Sequence, residues 1–406
     1  METQNVTIER YGSGGEGVAR LSDGRVVFVR GGARGDEVEI RITKEQPRSA
    51  RAEISRIITP SPHRIEPDCK VYPECGGCDF RHITYEEELD LKLRRINDAL
   101  ERIGGLAIRA EEILTTGQVD GYRNKVTLHS DGASLGFYKP ESHEVVPIET
   151  CRLLKDDLNE AVSKMVENNP LRSADSRFKA DKVACGKVAP RESADDDEPA
   201  SDKNAKVVLR SGKNGMEKPL KEELDGLTFQ IKGFFQVNTD ATLLLCNKAR
   251  EYAGMAKDET LIDLYCGIGT FTLFVGRDAG RALGVESNPN AVNVAKKNAQ
   301  HNKLDHIDFV EADAGEINAD VLNLEIAPDC VIVDPPRKGI SQGAVREVLQ
   351  LKPKRIIYIS CDPATLARDL KRLEGYEPKE ICAIDMFPRT ANVEICCLLN
   401  FVDTPQ

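Results

Sequence analysis

Three features are missing from this 406-residue chain: long hydrophobic runs, a secretory N-terminus and an excess of positive charge. No apolar run approaches the roughly 20 residues that span a bilayer, and no basic segment followed by an apolar stretch opens the chain. We therefore expect no membrane insertion and a cytoplasmic location. The formal net charge of −11 disfavours simple electrostatic adhesion to nucleic acid, although it does not exclude RNA as a partner.

Twelve cysteines are present, which in a short secreted chain would suggest a disulfide scaffold. This chain is too long for that class, and its length predicts two or three domains. Eight of the cysteines are scattered and four are grouped. Metal binding and catalysis therefore explain the cysteines better than disulfides do.

Residues 1–58 alternate short apolar strands with glycine turns, a pattern that predicts a small closed β-barrel. This segment has ten basic residues, nine of them arginine, against nine acidic ones, so it is locally near neutral within an acidic chain. Arginine suits both phosphates and bases, which favours RNA binding. A purely structural barrel is the alternative.

Residues 59–230 form the predicted central domain, which follows a proline-rich linker and contains four grouped thiols. They are Cys69, Cys75, Cys78 and, as the best candidate for a fourth ligand, Cys151. Four thiolates suit either tetrahedral zinc or an iron–sulfur cluster. Gly76 and Gly77 favour the cluster slightly, because small residues expose backbone N–H groups to its sulfides.

The rest of the central domain shows three further patterns. Residues 86–103 have helical spacing, and the apolar face consists of Leu89, Leu93, Ile96, Leu100 and Ile103. Strands are predicted between residues 122 and 148. Residues 171–206 contain Ser-Ala-Asp twice and an acidic run over residues 192–199, which predicts an exposed insertion.

Residues 231–406 alternate apolar strands with helical stretches, which is typical of a parallel α/β sheet covered by helices. The predicted strands are 261–264, 282–285, 307–310, 330–333, 355–359 and 395–399.

The first of these strands runs into a glycine loop, and this loop predicts a nucleoside site. Its candidate residues are Asp263, Tyr265, Gly267 and Gly269, while Glu286 closes the next strand, where a carboxylate can accept ribose hydroxyls. A dinucleotide fold is the rival interpretation. Because Thr272 replaces the third glycine of the dinucleotide motif, S-adenosylmethionine, which has no pyrophosphate, fits better.

Three more residues complete the predicted cofactor site. Asp313 would meet the adenine end, and Gln236 could reach the cofactor from outside the sheet. Asp334 begins an Asp-Pro-Pro loop at the end of the fourth strand, where such sheets bind ligands. The alternatives are a stiff connector and the corresponding loop of a methyltransferase that acts on exocyclic amines, although Arg337 stands where those enzymes usually carry an aromatic residue.

Cys361 and Glu394 are the candidate catalytic pair, a nucleophilic thiol and a carboxylate base. Cys361 follows a strand, Asp362 is a plausible helix N-cap and Pro363 suits the first helical position. A thiol at a helix N-terminus is biased toward the thiolate. The alternatives are a buried structural thiol and an ordinary polar residue at a strand edge.

Taken together, the motifs resemble those of the RNA uracil-C5 methyltransferases, in that family's order and over nearly the whole chain. The segments are Phe235-Gln236-Val237-Asn238, Asp263 to Phe271, Asp334-Pro335-Pro336-Arg337-Lys338-Gly339, Ser360-Cys361-Asp362-Pro363-Ala364-Thr365 and Val393-Glu394. The resemblance implies an α/β, Rossmann-like class I methyltransferase sheet with an N-terminal OB-like TRAM barrel that binds RNA. It also implies a central α+β domain whose four cysteines hold a [4Fe-4S] cluster, and a helical segment 85–115 that packs on the catalytic domain.

The resemblance further implies a reaction and a set of partners. Cys361 would add to C6 of a uracil, Glu394 would remove the C5 proton, and the product would be 5-methyluridine. We expect a monomer that acts on 23S rRNA, with tRNA as the alternative. Other hypotheses are a cytosine-C5 or adenine-N6 methyltransferase, or an RNA-binding protein without activity. Arg389 and Asn392 depart from the family, in which histidines often flank the threonine before the glutamate.

Overall fold

The computed structural model describes residues 3–168, 206–322, 324 and 327–402. The predicted insertion 171–206 lies outside these residues except for its last position. None of the helices within them combines the length and the apolar character needed to cross a bilayer.

The N-terminal unit is one curled six-stranded sheet. Its strands are β1 Thr3–Thr7, β2 Arg10–Tyr11, β3 Gly17–Arg20, β4 Val26–Arg30, β5 Glu37–Glu45 and β6 Ser49–Thr59. The strand order is β1-β5-β6-β4-β3-β2, and the two edge strands are consecutive in the chain, so the sheet curls back on itself. Alternate residues such as Val27 and Val29 are fully buried, which gives the small domain its core.

The central unit combines an antiparallel sheet with a helix. Its elements are α1 Tyr85–Ala99, a π-helical turn Leu100–Gly104, β7 Ile113–Leu114, β8 Lys125–Ser130, β9 Leu135–Tyr138, β10 Val145–Pro147, α2 Asp156–Asn168 and β11 Lys206–Arg210. The sheet has the order β10-β9-β8-β11. Leu128 packs against Leu158 and Val162 of α2 to form its core.

The segment from α1 to β7 packs with the C-terminal domain rather than with the antiparallel sheet. Ile96 and Leu100 share a core with Leu370, and β7 extends the large C-terminal sheet. The predicted apolar face of this helix is only partly correct, because Ile103 is 42% exposed. The polar residues Glu88 and Lys92 are fully buried instead.

The C-terminal domain is built on an eight-stranded mixed sheet. Its elements are β12 Lys221–Leu224, β13 Leu227–Gln230, α3 Thr239–Ala253, β14 Thr260–Leu264, α4 Thr270–Gly276, β15 Arg281–Glu286, α5 Pro289–His301, β16 Ile307–Glu311, β17 Cys330–Val333, α6 Gln342–Leu351, β18 Arg355–Ser360, α7 Pro363–Leu370, β19 Tyr376–Ile384 and β20 Glu394–Phe401. The order is β16-β15-β14-β17-β18-β20-β19-β7. Strands β14 to β18 run parallel, and β20 is antiparallel to β18.

This sheet confirms the predicted α/β fold class. Helices cover both faces, so strand β17 is buried along its whole length, as the continuous apolar runs predict. The β12–β13 hairpin, which the sequence assigned to the central domain, contributes Leu224 and Phe229 to the C-terminal core. The structure therefore places the start of the C-terminal packing unit before residue 231.

Candidate active site

The predicted site residues converge at one edge of the large sheet. Tyr265, Asp334 and Cys361 each follow the carboxyl end of a parallel strand, namely β14, β17 and β18. Glu394 opens β20, which runs the opposite way and so begins at the same edge. In open α/β sheets this edge forms the crevice where ligands bind.

The glycine loop turns sharply out of β14. Tyr265 has φ of 65°, and Gly267 and Gly269 have φ of 55° and 84°, a region that costs side-chain-bearing residues about 1–2 kcal/mol. A Cβ on Gly269 would lie 2.9 Å from both Leu273 and Phe309, so this position has no room for a side chain. The loop backbone is thus held open toward the crevice.

Glu286 fixes this loop from the neighbouring strand. One carboxylate oxygen accepts the Gly267 N–H at 3.1 Å, and the other accepts the Asn288 N–H at 2.8 Å. Each carboxylate oxygen can accept more than one hydrogen bond, so both retain capacity toward ligand hydroxyls. The half-buried carboxylate fits the predicted contact with a ribose.

Asp263 lies beneath the glycine loop. It is fully buried, and its Oδ2 accepts the Thr272 hydroxyl at 2.5 Å, which ties β14 to α4. Burial raises the pKa of its carboxyl to about 8, although the Thr272 hydrogen bond acts against the rise. Within the described residues, the Oδ1 atom of Asp263 accepts no hydrogen bond, and its predicted contact with a cofactor stays a prediction.

Asp313 and Gln236 lie on either side of the loop. Asp313 is exposed just beyond β16, and its carboxylate accepts the Gly315 N–H at 2.7 Å. Gln236 is half-buried in the segment before α3, and its carbonyl accepts the Asn124 side-chain amide at 3.1 Å. A Cβ on Gly233 would lie 3.3 Å from Ile268, so this segment passes beside the glycine loop.

Cys361 and Glu394 are electrostatic neighbours. Burial and, after it, the Glu394 carboxyl raise the pKa of the Cys361 thiol to about 11, while Arg337 opposes the rise. This corrects the expectation of a thiolate favoured by the helix N-terminus, because desolvation outweighs the helix dipole. The helix itself is as predicted, with Asp362 as N-cap accepting the Thr365 N–H at 2.7 Å and Pro363 at its start.

The carboxyl groups around this thiol are also perturbed. Burial and Asp334 raise the pKa of Glu394 well above its usual range, and Arg337 opposes the rise. Burial raises the pKa of Asp334 to about 7. Two carboxyls and a thiol with perturbed pKa values thus lie at one edge of the sheet, and such clusters are typical of catalytic centres.

The Asp-Pro-Pro loop is a rigid connector attached to α7. The Arg337 carbonyl accepts the Thr365 hydroxyl at 3.2 Å, and the Lys338 carbonyl accepts the Arg368 guanidinium at 2.7 Å. The exposed Arg337 guanidinium reaches the Asn392 amide oxygen at 3.5 Å. The loop thus places the positively charged Arg337 side chain near both the Cys361 thiol and the segment that leads to Glu394.

Arg389 does not set the pKa of Glu394. Its side chain donates to the Ile83 carbonyl at 3.2 Å and lies over the Tyr85 ring, with 5.6 Å to the ring centre. Its backbone N–H donates to Glu88 at 2.7 Å. The residue that replaces a family histidine therefore anchors the chain to α1.

Four cysteines of the central unit line one cavity: Cys69, Cys75, Cys78 and Cys151. The lining also includes apolar side chains and three arginines, Arg81, Arg123 and Arg152. Throughout the described ranges, no three His, Cys, Asp or Glu side chains stand in an arrangement that could hold one metal ion. A zinc ion would require sulfurs about 3.8 Å apart, from its ~2.3 Å bonds and tetrahedral angles; a multi-iron cluster accepts a wider spacing.

Sequence patterns missed the buried ion cluster behind this site. Lys92 Nζ lies 2.7 Å from both Glu88 Oε1 and Asp385 Oδ1, and all three side chains are fully buried. The i, i+4 spacing of Glu88 and Lys92 was a signal for a surface pair. Nothing local pointed to Asp385, which lies 293 residues away.

Comparisons with known proteins show what this chain is similar to. A family model described as tRNA (Uracil-5-)-methyltransferase matches residues 226–402, and a TRAM domain model matches residues 1–55. An uncharacterised RNA methyltransferase of Clostridium tetani is 33% identical, with 98% of this chain and 96% of that protein covered. One of Clostridium acetobutylicum is 32% identical, with 98% and 97% covered.

A solved structure shares the fold over nearly the whole chain. It is the Pyrococcus abyssi tRNA (uracil-54, C5)-methyltransferase in complex with S-adenosyl-L-homocysteine, with a TM-score of 0.71 and 23% identity. The match covers 98% of this chain and 100% of that one. The arrangement of all three units is therefore shared with that protein.

Proposed function

Because this chain belongs to the TRAM-containing family of RNA uracil-C5 methyltransferases, whose class I fold is S-adenosylmethionine-dependent, we propose how its residues divide the reaction. The observation that carries the proposal is the meeting of Cys361 with Glu394 at the ligand-binding edge of the sheet. A thiol and a carboxyl so placed can act on C6 and C5 of one uracil ring.

The methyl donor would lie over the glycine loop. Glu286 would accept its ribose hydroxyls, Asp313 would lie at the adenine end, and Gln236 would approach from the opposite side. Gly267 and Gly269 leave the backbone free to approach the ligand. Asp263 holds the loop in place through Thr272.

The pyrimidine chemistry would belong to the chain's own side chains. Cys361 would give its proton to solvent and its sulfur would add to C6, so that C5 becomes nucleophilic and takes the methyl group as the methyl–sulfonium bond breaks to leave a neutral thioether. Glu394 then accepts the C5 proton, the C5–H electrons re-form the C5–C6 double bond, and the sulfur leaves. Arg337 favours both charged forms, the thiolate and the carboxylate.

The four-cysteine cavity would hold a [4Fe-4S] cluster, with zinc as the alternative metal. Support comes from the four thiols around one cavity and from three arginines in its lining, which would offset the negative charge of a thiolate-bound cluster. The cluster would supply a structural cross-link, since no step above consumes or releases an electron.

The RNA substrate would be 23S rRNA. This rests on the combination of a barrel with a four-cysteine site, which the resemblance associates with rRNA enzymes. A tRNA is the second candidate, because the Pyrococcus abyssi protein of the same fold is a tRNA (uracil-54, C5)-methyltransferase. In either RNA an unstacked loop uridine is the cheapest target for extrusion.

Nucleoside mass spectrometry tests both the proposed reaction and the proposed RNA substrate. Unmodified total RNA, separated by size, is incubated with the protein and S-adenosylmethionine carrying a deuterated methyl. Heavy 5-methyluridine in large rRNA is the expected result, and the same label in tRNA would keep the chemistry but change the substrate. Label on cytidine or adenosine would overturn the uracil assignment.

A further inference from the structure

The residues that follow Cys78 are hydrogen-bonded to the segment that leads into Glu394. The backbone N–H groups of Asp79 and Phe80 donate to the Arg389 carbonyl at 2.8 and 3.2 Å. In return, the Asp79 carboxylate accepts the Ala391 N–H at 2.8 Å. Three hydrogen bonds thus join two segments that lie more than 300 residues apart in the chain.

This junction is closely packed. Phe80 is fully buried and shares an apolar cluster with Ala391 and Leu91. A Cβ on Gly15 of the barrel would lie 2.5 Å from the Phe80 ring, so the barrel also presses on this junction. Phe80 and Ala391 therefore have little freedom to shift independently.

The rest of the segment is held mostly from outside the catalytic sheet. The Phe387 carbonyl accepts Lys92 Nζ at 3.3 Å, and the Pro388 carbonyl accepts the Tyr122 hydroxyl at 2.9 Å. Tyr122 precedes Arg123, which lines the four-cysteine cavity. The conformation of residues 387–391 thus depends on the central unit.

The distance along the chain from this junction to the catalytic carboxyl is short. Only Asn392 and the fully buried Val393 separate Ala391 from Glu394. The pairing between β18 and β20 ends with Ser360 and Ile395. Glu394 therefore lies one residue beyond the last residue pair that joins these two strands. The preceding segment therefore contributes to where the carboxyl sits relative to the thiol.

We propose that Asp79 is a positioning residue for Glu394, and that filling the four-cysteine site holds Asp79 in place. Occupancy of that site would then control proton removal from C5 more than the earlier addition of Cys361 to C6. This inference rests on the proposed function, since it assumes that Glu394 accepts the C5 proton and that the C5–H electrons then expel the Cys361 sulfur.

The first test separates the two halves of the reaction in the full-length, metal-loaded protein. Asp79→Ala, Asp79→Asn and the control Asp131→Ala are compared, using an RNA that the wild type labels. Asp131 is also an aspartate of the central unit that accepts backbone N–H groups, from Ala133 at 2.8 Å and Ser134 at 2.7 Å, but it is exposed. Covalent protein–RNA adduct and released 5-methyluridine are quantified on denaturing gels and by mass spectrometry.

Asp79→Ala is expected to form adduct within about twofold of the wild-type rate but to release product about tenfold more slowly, so that adduct accumulates. Asp79→Asn keeps an acceptor for the Ala391 N–H and should restore release, and Asp131→Ala should match the wild type. Equal slowing of both steps, or an adduct level equal to that of Asp131→Ala, would overturn the inference. Absence of label with the wild type would instead overturn the proposed function.

Hydrogen–deuterium exchange provides a readout that is independent of activity. Peptides covering residues 386–393 are compared in wild-type protein before and after removal of the metal by a chelator. We expect faster exchange of the Ala391 amide after removal, with no change in peptides of β14. An unchanged rate at Ala391 would show that the four-cysteine site and the Glu394 segment are uncoupled.

Discussion

Cys361 and Glu394 are the first residues beyond the last residue pair of two antiparallel strands, β18 and β20. Ser360 of β18 pairs with Ile395 of β20, so the next residue on each strand reaches the same edge of the sheet. Glu394 also pairs with Ile384 of β19. Backbone register thus brings the thiol and the carboxyl to the same edge of the sheet.

Cys361→Ala should abolish methyl transfer and leave S-adenosylmethionine binding within about twofold, because the proposed donor site uses the ends of β14 and β15 instead. Label transfer and calorimetric titration measure the two properties separately. Normal turnover by this variant would remove Cys361 from the role of nucleophile.

Glu394→Gln should accumulate a covalent protein–RNA adduct, because an amide cannot accept the C5 proton while the thiol still adds to C6. The adduct is followed on denaturing gels with RNA that the wild type methylates. The double variant with Cys361→Ala is the control and should give none. If Glu394→Gln gave no adduct either, another group would be the base.

Alkylation of Cys361 by iodoacetamide should rise with pH toward an inflection near 11, because burial and Glu394 both disfavour the thiolate. Below that pH the thiolate fraction increases about tenfold per pH unit. Glu394→Gln removes a negative charge, so the inflection should move to lower pH. Mass spectrometry of the Cys361 peptide measures the rate; an inflection below 8 in the wild type would contradict this electrostatic picture.

Gly269→Ala should weaken S-adenosylmethionine binding by about tenfold, equivalent to ~1.4 kcal/mol. The new Cβ would meet Leu273 and Phe309 at 2.9 Å and would strain a φ of 84°. Gly117→Ala is the matched control, because its φ is 75° but nothing lies within 4 Å of the added atom. Equal affinities of the two variants, measured by calorimetry, would argue against a role of this loop in binding.

Lys92→Met should lower the free energy of unfolding by about 3–5 kcal/mol, because it leaves Glu88 and Asp385 buried without a cation. Arg94→Ala removes an exposed partner of Asp90 on the same helix and should cost less than about 1 kcal/mol. Urea unfolding measures both. Similar losses of unfolding free energy in the two variants would mean that the buried ion pairs of Lys92 stabilise the protein no more than an exposed ion pair does.

Local sequence patterns correctly predicted much of this fold. The six predicted strands of the large sheet all appear within one or two residues of their predicted bounds. Asp362 caps α7, as its position before Pro363 indicated. These features depend on neighbouring residues alone, since apolar runs, proline and capping side chains act within a few positions of themselves.

Burial is the property that local patterns did not predict. Asp263 is fully buried beneath the glycine loop, and the Cys361 thiol has a raised pKa in spite of its helix. Both depend on how much protein surrounds a group, and a linear motif does not contain that information.

By itself, the sequence determined the class of chemistry, because a thiol, a carboxylate and a glycine loop each stand in a short motif that ends or begins a strand. Only the tertiary structure decided which groups touch. It joined Asp79 to Ala391, and Lys92 to Asp385, across nearly 300 residues or more. Such contacts depend on the packing of whole domains, because the energy of a buried charge or hydrogen bond is set by its partners in space.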